Sequence, residues 1–192
     1  MKQELDELLC TKYPQMMVNR NLPMMETCMC WGFTCGDGWF NILDQLMGNI
    51  QHHIDWKEKQ RNWAIEYNEM ATQAKAGDCK LFFEQNSSIT SQAYKDERLA
   101  EIIAGDFRQV PESIPQVTLD QVKEKFGTLR FYYTGGDDVI DGMVRMAESM
   151  SGVTCEECGG TGKRVGGGWV TTLCEAHAEA RSIVYNEEGN EQ

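Results

Sequence analysis

The spacing of apolar positions changes several times along the chain, and each change marks an expected element. Leu5, Leu8 and Leu9 share one side of a short amphipathic helix over residues 2–10, which Tyr13-Pro14 ends. Cys28 to Phe40 is a compact aromatic stretch. Its first half reads as a short strand, and Gly36-Asp37-Gly38 as a turn whose glycines can take positive φ, with Asp37 placed to cap the next helix. Phe40, Leu43, Leu46, Met47, Ile50 and Ile54 then recur at three- and four-residue spacing, one core-facing helical stripe. The stripe weakens beyond Trp56, but Trp63, Ile65 and Met70 carry this helix or a second one to about Ala76, where Gly77 is a natural stop.

Residues 57–115 read as an insertion, with Leu81-Phe82-Phe83 as a strand, a polar loop at 85–88 and a helix over 91–104. Pro111 and Pro115 set an extended linker. The period then falls to two: Leu129, Phe131 and Tyr133 alternate with Thr128, Arg130 and Tyr132, and Val122, Glu124 and Phe126 with Lys123 and Lys125. Gly127 lies between these halves as a bulge or tight bend. Asp137-Asp138 opens a helix through Met150, with Val139, Ile140, Met143, Val144, Ala147 and Met150 expected inward and acids in the favourable first turn. The fold class expected is α+β: a small antiparallel sheet packed by helices over residues 1–150, a treble-clef-like zinc module over 151–186 packed on that core, and a frayed tail at 187–192.

Composition narrows the functional classes. A chain of 192 residues, 41% hydrophobic and 25% charged, suits one globular domain or a domain with a small appended module. No apolar run is long enough to cross a bilayer, and the acidic start has no apolar signal core, so a cytoplasmic protein is expected. Eight cysteines fit a reducing compartment, since three belong to a metal motif and the remaining five are an odd number. The formal net charge is −12, and three metal-bound thiolates outweigh a dication. A field of that sign repels duplex nucleic acid, but leaves room for a local basic pocket or a protein partner with a basic face.

The strongest chemical signal is Cys155-x2-Cys158 followed, after fifteen residues, by Cys174-x2-His177. Two short corners joined by a hairpin-sized connection can deliver the four soft or borderline ligands of a tetrahedral zinc ion. Four ligands at this spacing indicate structural zinc, whereas a catalytic site keeps a position open. The hairpin expected between the corners runs over Lys163 to Trp169, Val170 to Leu173 returns as a strand, and the last helix extends to about Tyr185. Cys28, Cys30 and Cys35 could form a second site but have no fourth partner nearby, and read otherwise as core thiols. His52 and His53 are adjacent on a helix and cannot chelate together.

A ligand site is expected elsewhere. Trp31, Trp39 and Asp37 surround the glycine turn, either as a stacking surface with a polar handle or as a hydrophobic plug. Lys123, Lys125 and Arg130 could hold a phosphate or carboxylate, or form a solvated strand face. Arg164 and Trp169 join them only if the zinc hairpin folds back onto the sheet. There is no P-loop, no dinucleotide-type glycine motif after a strand, no HExxH, no G-x-S-x-G and no carboxylate pair with a positioned nucleophile.

The joint order GDGWF (36–40), QVKEKFGTLRFYY (121–133) and CEEC…GGGW…TLCEAH (155–177) resembles that of a family of small proteins encoded by bacteriophages and prophages. The resemblance covers about residues 28–50 and 116–180. It implies a phage origin, action in the bacterial cytoplasm and zinc at Cys155, Cys158, Cys174 and His177, with no established reaction; the stretch from about Trp56 to Pro115 is extra relative to shorter relatives. The expected function is that of a non-enzymatic accessory protein sequestering a small anionic, nucleotide-like ligand to counter host defence. An acidic inhibitor or adaptor of a host protein is the alternative, and a zinc-dependent enzyme the weaker third reading.

Overall fold

A computed structural model describes residues 1–183, so the tail expected at 187–192 lies outside the described residues, while the last helix, expected to reach about Tyr185, already ends at Ala180, and Ser182 takes φ +56°. The chain divides into two compact units: residues 1–54 with those from 114 onward, and residues 55–113.

In the first unit, helix α1 (Gln3–Lys12) leads into loops and short 3-10 turns, and helix α2 starts at Phe40 and runs unbroken to Lys75. Strands β1 (Thr118–Lys125) and β2 (Thr128–Thr134) form an antiparallel hairpin, and helix α5 (Asp138–Ser151) follows. A second hairpin, β3 (Lys163–Val165) with β4 (Thr171–Leu173), and helix α6 (Glu175–Ala180) complete the described chain. The core joins Trp39, Leu43, Met47 and Ile50 of the α2 stripe to Leu119, Val122, Leu129 and Phe131 of the hairpin and to Ile140 and Val144 of α5. The expected α+β class therefore holds, with the sheet reduced to paired strands and short bridges.

An isolated two-stranded hairpin is marginal in water, and here both of its edges are occupied. Beside β1, Thr34 donates its amide to Val122 O (3.0 Å) and accepts from the Glu124 amide (3.0 Å), while the Leu119 amide reaches Met16 O (2.9 Å). Beside β2, side chains of α5 take the place of a strand: Ser151 Oγ accepts from the Leu129 amide (2.8 Å) and Glu148 Oε1 from the Phe131 amide (3.0 Å). Capped in this way, the edges offer little template for further pairing.

In the second unit, the distal part of α2 packs with α3 (Lys80–Gln85) and α4 (Gln92–Ala104) around Met70, Ala71, Ala74, Phe82 and Ile102. Asn68 and Arg108 exchange a reciprocal pair of hydrogen bonds (2.8 and 2.7 Å), and Lys75 Nζ caps the end of α4 through Ile103 O and Gly105 O.

Four local expectations are corrected. Leu81-Phe82-Phe83 is helical, because a single turn suffices to bury Phe82 against α2. The stretch after Cys28 is a 3-10 turn over Met29–Trp31, and extended pairing is confined to Thr34. Gly36 has φ −73° and Gly38 is not among the positive-φ residues; both glycines are required by close packing. On α5, Ile140, Val144 and Ala147 point inward as expected, but Val139 (51% exposed) and Met150 (47%) do not.

Candidate metal centre

The Cys155–Cys158 corner is built by backbone hydrogen bonds. The Gly159 amide donates to Cys155 O (2.8 Å), and the Cys155 amide to Gly160 O (2.7 Å), closing a tight knuckle in which Gly159 has φ +74°. The second corner lies where β4 meets α6: Cys174 is the residue before the helix, and His177 sits on its first turn. Cys174 Sγ lies 3.0 Å from His177 Nδ1, Cys155 Sγ 3.6 Å from the same nitrogen, and Cys158 Sγ 3.9 Å from Cys174 Sγ. All four donor atoms fall within 4.8 Å of one another. The edges of a zinc tetrahedron with these bond lengths are about 3.5–3.8 Å, so three thiols and one imidazole are spaced as a metal requires. Knuckle, short hairpin and helix N-terminus in this order match the treble-clef-like outline.

The surroundings of Cys155 and Cys158 shift the two thiols in opposite directions. Burial pushes the Cys155 thiol up, but the amides of Cys158 and Cys174 and the neighbouring thiols donate to its sulfur and hold it below the ordinary thiol range. At Cys158 the Gly160 amide favours the thiolate, yet the proton shared with Cys155 outweighs it and the group is raised. A buried sulfur braced by amide donors is suited to the thiolate form in which cysteine binds a dication.

The N-terminal glycine turn grips this knuckle. The Gly38 amide donates to Glu156 O (2.7 Å), the Gly36 amide to Glu156 Oε1 (2.8 Å), and the Trp39 indole Nε1 to Thr154 O (2.8 Å). A Cβ on Gly38 would stand 2.2 Å from Cys155 O, and one on Gly36 2.2 Å from Glu156 O. The GDGW turn is therefore a backbone-to-backbone clasp around the metal site. The β1–β2 turn is held from the same module: Arg164 Nη2 donates to Phe126 O (2.8 Å), and Thr172 Oγ1 donates to Gly127 O. Phe126 occupies the left-handed region at φ +56°, a conformation that costs a non-glycine residue roughly 1–2 kcal/mol and that these contacts secure.

No family model, no curated protein and no solved structure matches this chain.

The residues expected to bind a ligand are separated by the fold. Trp39 is fully buried and its indole N–H is used, so the hydrophobic-plug reading replaces the stacking one there. Asp37 does not cap α2; its carboxylate takes the Lys2 amide (2.7 Å) and ammonium (3.0 Å), which lower its pKa. Trp31 and Trp169 are exposed at 64% and 79%. Lys123 and Arg130 are directly opposed across the hairpin, with Lys125 on the same face, and Lys123 Nζ stands 5.5 Å from the centre of the Tyr132 ring. Arg164 reaches the tip of that hairpin, so the zinc hairpin does fold back onto the strands. Cys28, Cys30 and Cys35 do not assemble: among the described residues the one metal-ligating cluster is that at Cys155. Cys35 is buried and its thiol pushed up to about 12, and Cys30 donates to Thr27 O. His53 instead bonds Asp137 (2.9 Å), the N-cap of α5.

Glu156 and Ser151 carry no signal in the sequence. Glu156 joins the glycine turn to the module through both carboxylate oxygens, bonding Gly36 and Thr171, but nothing distinguishes it there from Glu157 beside it. Among the described residues no helix is long and apolar enough to cross a membrane.

Proposed function

We propose that this protein is a non-enzymatic, phage-encoded binding protein of the bacterial cytoplasm, in which a structural zinc ion fixes a cationic strand face for a small anionic, nucleotide-like ligand. The observation behind it is the direct pairing of Lys123 with Arg130, joined on one face by Lys125 and the half-exposed ring of Tyr132, in a chain whose net charge is −12. Two cations held by register and flanked by an aromatic ring suit a phosphate and a planar base. Zinc is favoured over other divalent ions by the donor set of three thiols and an imidazole. Four protein donors suffice for a tetrahedral ion, and the glycine turn clasps the knuckle, which supports a structural role.

Elemental analysis of the purified chain is expected to return one zinc per molecule. Calorimetry with linear and cyclic nucleotides is expected to give heat for at least one, with Lys123→Glu and Arg130→Glu each weakening it about tenfold or more. The ligand reading fails if no nucleotide gives heat.

A further inference from the structure

The turn that joins β1 to β2 holds an aromatic ring out in water. Phe126 is 63% exposed, and its backbone stands at φ +56°, where glycine would rest without strain. Arg164 and Thr172 of the zinc hairpin nevertheless secure the turn through Phe126 O and Gly127 O. Strain that exposes a side chain instead of burying it points to a contact made outside the chain. The tip of the second hairpin lies against this turn. A Cβ on Gly127 would stand 3.2 Å from Val170 Cγ1, and Trp169, next to Val170, is 79% exposed at the end of a turn in which Gly166 has φ +100°. Cations stand at the same place: Lys125 Nζ lies 5.4 Å from the centre of the Phe126 ring, and Arg164 Nη2 reaches Phe126 O (2.8 Å).

These residues continue the cationic strand face. Alternation along β1 and β2 puts Lys123, Lys125, Arg130 and Tyr132 on the side away from the core, while Glu124 turns to the other side and accepts from the Gly127 amide (2.6 Å). Arg130 Nη1 bonds Thr128 Oγ1 (2.6 Å), so its guanidinium leans toward the tip. From Tyr132 to Thr128 the strand runs about 14 Å, and Phe126 and Trp169 lie beyond. Aromatic rings therefore stand at both ends of a line of cations, further apart than one base and one phosphate reach. A strand stretched past the roughly 3.4 Å per nucleotide of stacked helix covers that distance with about three nucleotides. Cations that follow a backbone, with rings on which successive bases stack, are what an unpaired strand requires, whereas the bases of a duplex are already stacked on one another. An acidic peptide would match the cations and leave the rings unused. We propose that this face binds single-stranded nucleic acid, one base on Tyr132 and another on Phe126 or Trp169, a binding mode that rests on the nucleotide reading of the same face and extends it from one nucleotide to a chain.

The test uses the zinc-loaded full chain with thymidine monophosphate and oligothymidylates of up to about six residues. Affinity is expected to rise about tenfold or more from the monophosphate to the longer oligomers. The oligomer's affinity is expected to fall with salt at a log–log slope of about −2, the share of about three phosphates. Phe126→Gly is expected to raise the midpoint of thermal unfolding by a few degrees, since glycine accepts the positive φ, and yet to remove most of the gain with length. Trp169→Ala, at an open tip, is expected to reduce the gain and leave the midpoint where it is. A glutamate peptide of equal charge is expected to bind at least about tenfold more weakly. Oligouridylates run alongside distinguish RNA from DNA, and a gain with length in either series supports the proposal. Equal affinity for monophosphate and oligomer would leave the nucleotide reading standing and overturn the extension to a chain. An undiminished gain in both variants, or equal binding of the glutamate peptide, would overturn it too. No binding by any member of the series would remove the nucleotide reading and the extension together.

Discussion

Gly36 and Gly38 are distinguished by what stands beside them, not by their own dihedral angles. Their missing side chains let one stretch of backbone approach another, and the obstructing atoms at Gly38 are main-chain atoms of Cys155, Cys158 and Gly159, which cannot rotate aside. Gly38→Ala is therefore expected to cost about 1–3 kcal/mol and to speed metal loss to a chromogenic chelator. Gly142, mid-way along α5 with nothing near its would-be Cβ, is the matched control: Gly142→Ala is expected to stabilise the protein by about 0.5–1 kcal/mol in thermal unfolding. A turn was legible at GDG because glycine and aspartate break regular structure in any context. The reason for its glycines was not, since it lies in a partner more than a hundred residues away.

Among the elements, α2, α4, α5 and the β1–β2 hairpin were legible because long periodic stretches carry their own signal. Leu81–Phe83 misled because three adjacent apolar residues fit either period, and only burial of Phe82 decides. The α5 start shows how an element is fixed by both local and distant groups. Asp137 accepts from the Ile140 amide as N-cap (3.1 Å) and meets His53 of α2 (2.9 Å). Burial opposes its charge, but these hydrogen bonds prevail and lower its pKa. A depressed carboxylate stabilises the fold fully above its unfolded pKa of about 3.9, and that contribution is lost as pH falls through the folded value. Asp137→Ala is expected to cost about 1 kcal/mol near neutrality in urea titrations, with the gap to wild type closing below about pH 4.

For the molecule as a whole, the metal centre and the sheet belong to one unit, joined through Glu156, Thr154 and the Phe126–Gly127 turn. Metal binding is worth about 10–16 kcal/mol in zinc-finger peptides, against about 5–15 kcal/mol for the stability of a typical domain. Chelation is therefore expected to unfold this unit, abolishing the near-ultraviolet signal of Trp39 and amide protection at Leu129 and Phe131. Protection at Phe82 and Ile102, in the second unit's own core, is expected to survive. The four ligands were readable as a spacing; that they clamp the rest of the unit was not, because the residues they brace carry no mark of it. The open side of α5 was obscured for a similar reason: an apolar helix position does not announce which neighbour covers it.

The bond from the Trp39 indole to Thr154 spans 115 residues of sequence. A ribosome making this chain must deliver all of them before the tryptophan finds its acceptor, and further residues before the second pair of ligands emerges. Such separation slows folding by deferring the contacts that repay loop closure. Helix α2 thus begins its existence with its first apolar turn uncovered, until the hairpin and α5 that pack on it have been made. A nascent chain interrupted before Cys174 would lack two of the four candidate ligands, so the cluster can assemble only after nearly all of the described chain has been made.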